Sequence, residues 1–193
     1  MILALDLSLK RTGLAIFSSA GELLNIEQIE PDTKLSNFQK IHYTVTELKK
    51  QYYSKTTSLA IEDTFLGNNF KTVKELSRLA GAVIYSWIEH SGSIPVMYMP
   101  TSARKLVGIN TKITKSETQI WVLEKYFKNE NPVPFKKTID KLRKQYVNKI
   151  LTKKQLEYQI NKLSKDIEEQ TGLGNDSADA VIIGLAHLRA TSI

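Results

Sequence analysis

The chain has 193 residues, 41% hydrophobic and 24% charged, which suits one well-buried core and leaves little for a second. This composition argues against global disorder, and no apolar run reaches the roughly eighteen residues of a membrane span. The absence of cysteine excludes disulfide staples and thiolate metal sites and fits a cytoplasmic protein, while a net charge of +7 points to a polyanionic partner such as nucleic acid.

The first thirty residues read as strands. ILALDL is apolar around a single acid, Asp6, which marks it as a strand and not a signal peptide. TGLAIF follows after a tight connection, and Gly21 separates it from LLNIEQI, so the three predict an antiparallel meander. From residue 36 the period changes: Phe38, Ile41, Val45 and Leu48 recur at helical spacing up to residue 51. SLAIED at 58–63 is a short buried strand that ends in acids. Next, Val73, Leu76, Ala80, Ile84 and Trp87 mark one helical face, with Ala80, Gly81 and Ala82 small enough for close approach to a sheet. IPVMYM is the fifth strand.

Beyond Pro100 the pattern is helical. Thr101 is a candidate cap for a short helix through Leu106, and Thr114 with Glu117 forms a capping box for a helix over 115–127. Pro132 and Pro134 interrupt it. Between about 135 and 170 two amphipathic stripes follow, Ile139, Leu142, Tyr146 and Ile150, then Leu156, Ile160, Leu163 and Ile167, with Thr152 as an N-cap. They predict a helical hairpin projecting from a single domain spanning 1–193. The stretch from Lys136 to Lys154 carries eight basic residues against one acid, Asp140, a charge density suited to a phosphate backbone. A solvated helical face is the other reading. A buried helix over about 176–189 closes the chain.

Four acids stand where soluble proteins seldom place them. Asp6 lies inside an apolar strand, Glu62 ends another, and Asp176 and Asp179 are one helical turn apart and share a face. A buried carboxylate is unfavourable unless it is paired or holds a metal, so the set points to hard divalent cations. Two such ions about 4 Å apart can activate water on one side of a phosphodiester and stabilise the leaving oxygen on the other. Each acid also has a plainer reading: Asp176 as a first-turn acid favoured by the helix dipole, Glu62 beside Asp63 as a solvated strand end. Asp6 is the hardest to explain away.

Taken in order, ILALDLSLKRTGLAIF, LAIEDTFLGNN, the Ala80-Gly81-Ala82 helix, MPTSARKLVG, TKSE and GNDSADAVIIGLAH closely resemble the RuvC family of Holliday-junction resolvases. The resemblance covers about residues 1–127 and 171–190. It implies an α/β, ribonuclease-H-like fold with a mixed five-stranded sheet flanked by helices, carrying the basic hairpin as an insertion. It further implies a homodimer that nicks opposed strands of a four-way DNA junction and needs Mg²⁺ or Mn²⁺, two per site. The family's catalytic and metal-binding acids fall on Asp6, Glu62, Asp176 and Asp179. Its basic residues near the scissile strand match Lys115 and either Lys105 or its neighbour Arg104, and the aromatic that helps open the junction matches Phe65. Local packing of Phe65 and an ordinary first-turn role for Lys115 are the alternatives.

Two departures from the family pattern stand out. Asp6-Leu7-Ser8 replaces the commoner Asp-Pro-Gly, so the tight turn is made without glycine until Gly13. The basic hairpin resembles that of resolvase-like proteins from bacteriophages of Gram-positive hosts, which are looser about branch type and would act in a bacterial cytoplasm. Lys136, Lys137, Lys141, Arg143 and Lys144 are its candidate DNA contacts, though its apolar stripes also permit a dimer extension. His187 is read as a structural histidine, a metal-proximal role being the alternative. A general branched- or flap-DNA nuclease and a non-catalytic architectural DNA-binding module are the rival functions.

Overall fold

Alternation along the first strand decides the architecture. In the computed structural model, which describes residues 1–63, 70–127 and 133–191, β1 (Ile2–Asp6) buries both faces. Ile2 and Ala4 face one helical layer and Leu3 and Leu5 the other, as the two-residue period requires. β2 (Thr12–Phe17) and β3 (Leu23–Ile29) continue it as an antiparallel meander, while β4 (Ser58–Glu62) and β5 (Val96–Tyr98) add on the other side in parallel. The order β3-β2-β1-β4-β5 is therefore a mixed five-stranded sheet.

On one face lie α1 (Asn37–Gln51) and α2 (Phe70–Ser91). Ile41 and Leu48 of α1 and Leu79, Ala80, Val83 and Trp87 of α2 pack there over Leu3, Leu5, Leu59 and Ile61. Trp87 meets Tyr53 edge-on with ring centres 5.2 Å apart. The buried face of α2 is rotated from the expected stripe, and Gly81 is exposed with open space beside it, so it serves no close approach to the sheet. The flanking Leu79 and Val83 do the packing instead.

The other face carries α7 (Asn175–Thr191), with α3 (Pro100–Val107), α4 (Lys115–Tyr126), α5 (Val133–Val147) and α6 (Lys153–Thr171) around it. Helix α3 starts at Pro100 after Met99, and Thr101 does not cap it; proline's fixed φ and missing N–H suit that first position. The Thr114/Glu117 capping box forms, and Ser36 with Gln39 on α1 and Thr152 with Gln155 on α6 make two more. Helix α6 does not project: Ile160, Leu163 and Ile167 are buried, Ser116 donates to the Ile160 carbonyl at 2.8 Å, and Gln119 donates to the Leu173 carbonyl at 2.7 Å. No helix among the described residues is long and apolar enough to cross a membrane.

Candidate functional site

The same alternation that buries Ala4 and Ala60 beneath α7 turns Asp6 and Glu62, two residues further along their strands, toward that helix. Parallel pairing of β1 with β4, with Leu5 opposite Ile61, sets the two acids side by side where the strands end. A backbone bond from Asp63 N–H to the Tyr98 carbonyl, 2.9 Å, holds β4 against β5 just beyond Glu62. Helix α7 begins at this edge, with Asp176 in its first turn and Asp179 one turn on.

How closely α7 can approach is set by glycine. Gly13 pairs across the sheet with Asp6, and a Cβ on it would collide with the backbone of Asp176 and Ser177. Gly13 is therefore not a turn residue. Side chains close the turn before it: Thr12 Oγ1 donates to the Ser8 carbonyl at 3.0 Å and accepts from the Ser8 N–H at 3.2 Å. Further along α7, a Cβ on Gly184 would strike the Phe17 ring and press on Ala4. The start of α7 is fixed by a buried polar network. Gln119 Oε1 accepts from Ser164 Oγ at 2.9 Å, Ser164 Oγ lies 2.8 Å from Asn175 Oδ1, and Ser177 Oγ donates to the Glu27 carbonyl at 3.1 Å.

At this proximity the four acids act on one another. Burial raises the Asp6 carboxyl well above its ordinary range, and Glu62, Asp179 and Asp176 push it further while Lys115 opposes. Burial, then Asp179, pushes Glu62 up to about 8 against the pull of Arg104 and Lys115. Burial also raises Asp176, which Lys115 and Arg11 restrain, and Asp179, which Arg104 restrains through charge and a 3.3 Å hydrogen bond. Four acids thus share one field with three cations, Lys115, Arg104 and Arg11, and Lys115, unfavourable by dipole alone at a helix start, is balanced by the acids.

The donor set is all oxygen, and its members raise one another's proton affinity, which fits a hard divalent cation better than any group present. Among the described residues no three acidic or histidine side chains are already closed to ligand geometry. Arg104 instead occupies one oxygen of Asp179.

The remaining candidates separate clearly. Arg104, next to buried Ala103, faces the acids; Lys105 is exposed and turned away. All five basic residues of α5 are exposed; Lys136 and Arg143 pair with Glu124 and Glu117 of α4, the latter at 2.7 Å, whereas Lys137, Lys141 and Lys144 make no ion pair among the described residues. Phe65 lies outside the described residues. His187 is buried, with Nε2 2.7 Å from Ser58 Oγ and Nδ1 3.1 Å from Tyr98 OH. Burial lowers its pKa, and both ring nitrogens are engaged in the core. Sequence reasoning missed Arg11 and Glu168, which form a two-pronged ion pair linking the β1–β2 turn to α6, and Gln119. Arg11 lies within a motif that had been noted, but nothing in the sequence pointed to its partner.

A model of the family Crossover junction endodeoxyribonuclease RuvC matches residues 2–142. That stretch holds Asp6, Glu62 and Lys115 and ends before the Asp176/Asp179 pair. Among solved structures, the Thermus thermophilus RuvC structure superposes with a TM-score of 0.63 at 15% identity, covering 99% of this chain and 95% of that chain. T. thermophilus RuvC in complex with Holliday junction substrate gives 0.56 at 15% identity, covering 99% and 94%. No curated protein matches.

Proposed function

The chain belongs to the RuvC family of crossover junction endodeoxyribonucleases, and on that premise we propose that Asp6, Glu62, Asp176 and Asp179 form its catalytic centre for nicking branched DNA. The observation that carries this reading is the shared field of the four acids, brought together from two strand ends and one helix start. The solved T. thermophilus complex with a Holliday junction supports a four-way junction as the substrate.

On this reading the four carboxylates hold two divalent cations, Mg²⁺ or Mn²⁺. When bound, such cations supply Lewis-acid polarisation of the phosphate and lower the pKa of nearby water. Asp6, central among the acids, faces both halves of the site. Glu62 aligns with it across the β1–β4 pairing, and the α7 pair closes the opposite side. Lys115 offsets charge that develops on the phosphate oxygens, and Arg104 leaves Asp179 for the incoming strand. A two-fold homodimer sets two such sites on opposed strands, the physical reason for paired cuts. Phe65 stacks on an unpaired base near the junction centre, and such stacking contributes roughly 1–3 kcal/mol. The same reading places the protein nearest the resolvase-like proteins of bacteriophages of Gram-positive hosts, acting in the bacterial cytoplasm.

The test is cleavage of a synthetic four-way junction beside its matched linear duplex, with Mg²⁺ or Mn²⁺, for the wild type and Asp6→Asn. Paired nicks on opposed strands of the junction alone, reduced about a hundredfold to a thousandfold in the variant, are expected, since loss of an electrostatic stabiliser of the transition state costs about that much. Equal cutting of the duplex would show a general nuclease. Tight metal-independent binding without cutting would show an architectural module.

A further inference from the structure

Helix α5 carries five of the cations in the basic stretch, and the fold divides them between two faces. Lys136 and Arg143 turn toward α4 and pair with Glu124 and Glu117. Glu117 is also the capping-box residue of α4: its Oε2 accepts from the Thr114 N–H at 2.8 Å while its Oε1 meets Arg143. The box starts the helix at Lys115, so Arg143 braces the helix end that faces the four acids. Lys137, Lys141 and Lys144 differ. Their spacing of four and three residues puts them on one helical face. All three are exposed, as Lys136 and Arg143 also are, but none of the three is ion-paired among the described residues. With Asp140, Gln145 and Asn148 they line an open groove of about 410 Å³.

We infer that the Lys137–Lys141–Lys144 face of α5 binds the phosphate backbone of a DNA arm away from the cut, whereas Lys136 and Arg143 join α5 to α4 and contact no DNA. This inference rests on the DNA-cutting reading above for its partner. From Lys137 to Lys144 the helix rises about 10 Å, close to the axial rise of three nucleotides of one strand. A membrane surface suits this face poorly, because Ile139 between its lysines is buried against the core and Leu142 is half-buried, the exposed Val147 and Ile150 lying beyond its end. The three lysines outweigh Asp140, the one acid in the groove, so the face is attractive to a polyanion along its length. Because α5 is braced to α4, an arm held here stays in fixed relation to Lys115 and the acid site.

The experiment compares two variants that lose the same charge, Lys137→Ala with Lys141→Ala and Lys136→Ala with Arg143→Ala. Binding to a labelled junction and to its linear duplex is measured over a salt series, without divalent cation so that nothing is cut. Each lost phosphate contact lowers the log–log salt slope by about 0.9, so the first variant should lose roughly 1.8 of slope on both DNAs and the second almost none. Lys141→Glu should weaken binding further with an unchanged Tm, which separates lost contact from lost fold. Equal slope losses in the two double variants would reduce the effect to net charge and overturn the face assignment; so would no loss in the first. Wild-type cleavage is measured on the same preparation. A protein that binds duplex through this face yet cuts no junction would overturn the cutting reading and leave the inference standing.

Discussion

Glu62 shows at the scale of one residue how the site is balanced. An ordinary glutamate ionises near 4.5, and burial with Asp179 beside it pushes this one up to about 8. Between those values the folded, metal-free protein keeps a proton that the unfolded chain has released. The contribution of Glu62 to stability is therefore fully present below about 4.5, is lost as pH rises toward about 8, and is level beyond. Glu62→Gln should flatten that fall, leaving the variant equal to the wild type at the acid end and more stable above pH 8. A gain of about 1–3 kcal/mol is expected once relaxation of the site is allowed for, and each kcal/mol is about 2–4 °C in a chain of this size. Thermal melts in chelator across pH check this; parallel profiles would show that Glu62 is not under such strain. Arg104 and Lys105 make the companion case. Helical phase separates them by about 100°, and burial of Ala103 and Val107 places Arg104 on the flank of the inner face.

The elements meet with no room to spare. At Gly13 the strand β2 and the first turn of α7 touch backbone to backbone, so one methyl group must push them apart. Gly13→Ala should displace Asp176 and Asp179 from Asp6, lowering junction cleavage by about 100-fold or more, since misplacement of about 1 Å in a catalytic group has that effect. The expected drop in Tm is several degrees, typical of overpacking at about 1–3 kcal/mol. Gly81→Ala, in open space, is the control and should leave both unchanged. If the two substitutions behave alike, the contact between β2 and α7 does not set the site. The strands and helices themselves were legible: short apolar runs between tight connections marked β1 to β4, and the Thr114/Glu117 box and the Thr152 cap lie where local pattern put them, whereas the Ser36/Gln39 box on α1 was not read. The packed side of α2 was not, because four adjacent small and apolar residues from Leu79 to Ala82 permit more than one phase.

For the whole molecule, four half-buried acids on one edge repel one another when ionised, and on the proposed reading a bound cation would relieve that repulsion. Binding to the folded state alone stabilises it by mass action, about 2.7 kcal/mol at a hundredfold excess over Kd. Mg²⁺ or Mn²⁺ should therefore raise the Tm by roughly 5–10 °C, and Asp6→Asn should abolish most of that rise. A wild-type Tm indifferent to either ion would argue that the four acids do not hold metal. The α5–α6 hairpin belongs to the same balance, because Arg11 reaches Glu168 of α6 across 157 residues of chain, and Arg11 restrains Asp176.

By itself the sequence determined the periods, the caps and the chemical character of the site, because each is written within a few neighbouring residues: an acid in an apolar strand, a pair one helical turn apart, a run of lysines. Only the tertiary structure decided that α6 packs on α4 and does not project, that Gly13 admits α7 and does not make a turn, and which cations face the acids, α4 or solvent. Those outcomes depend on which surfaces meet across long stretches of chain, and local periodicity carries no record of distant partners.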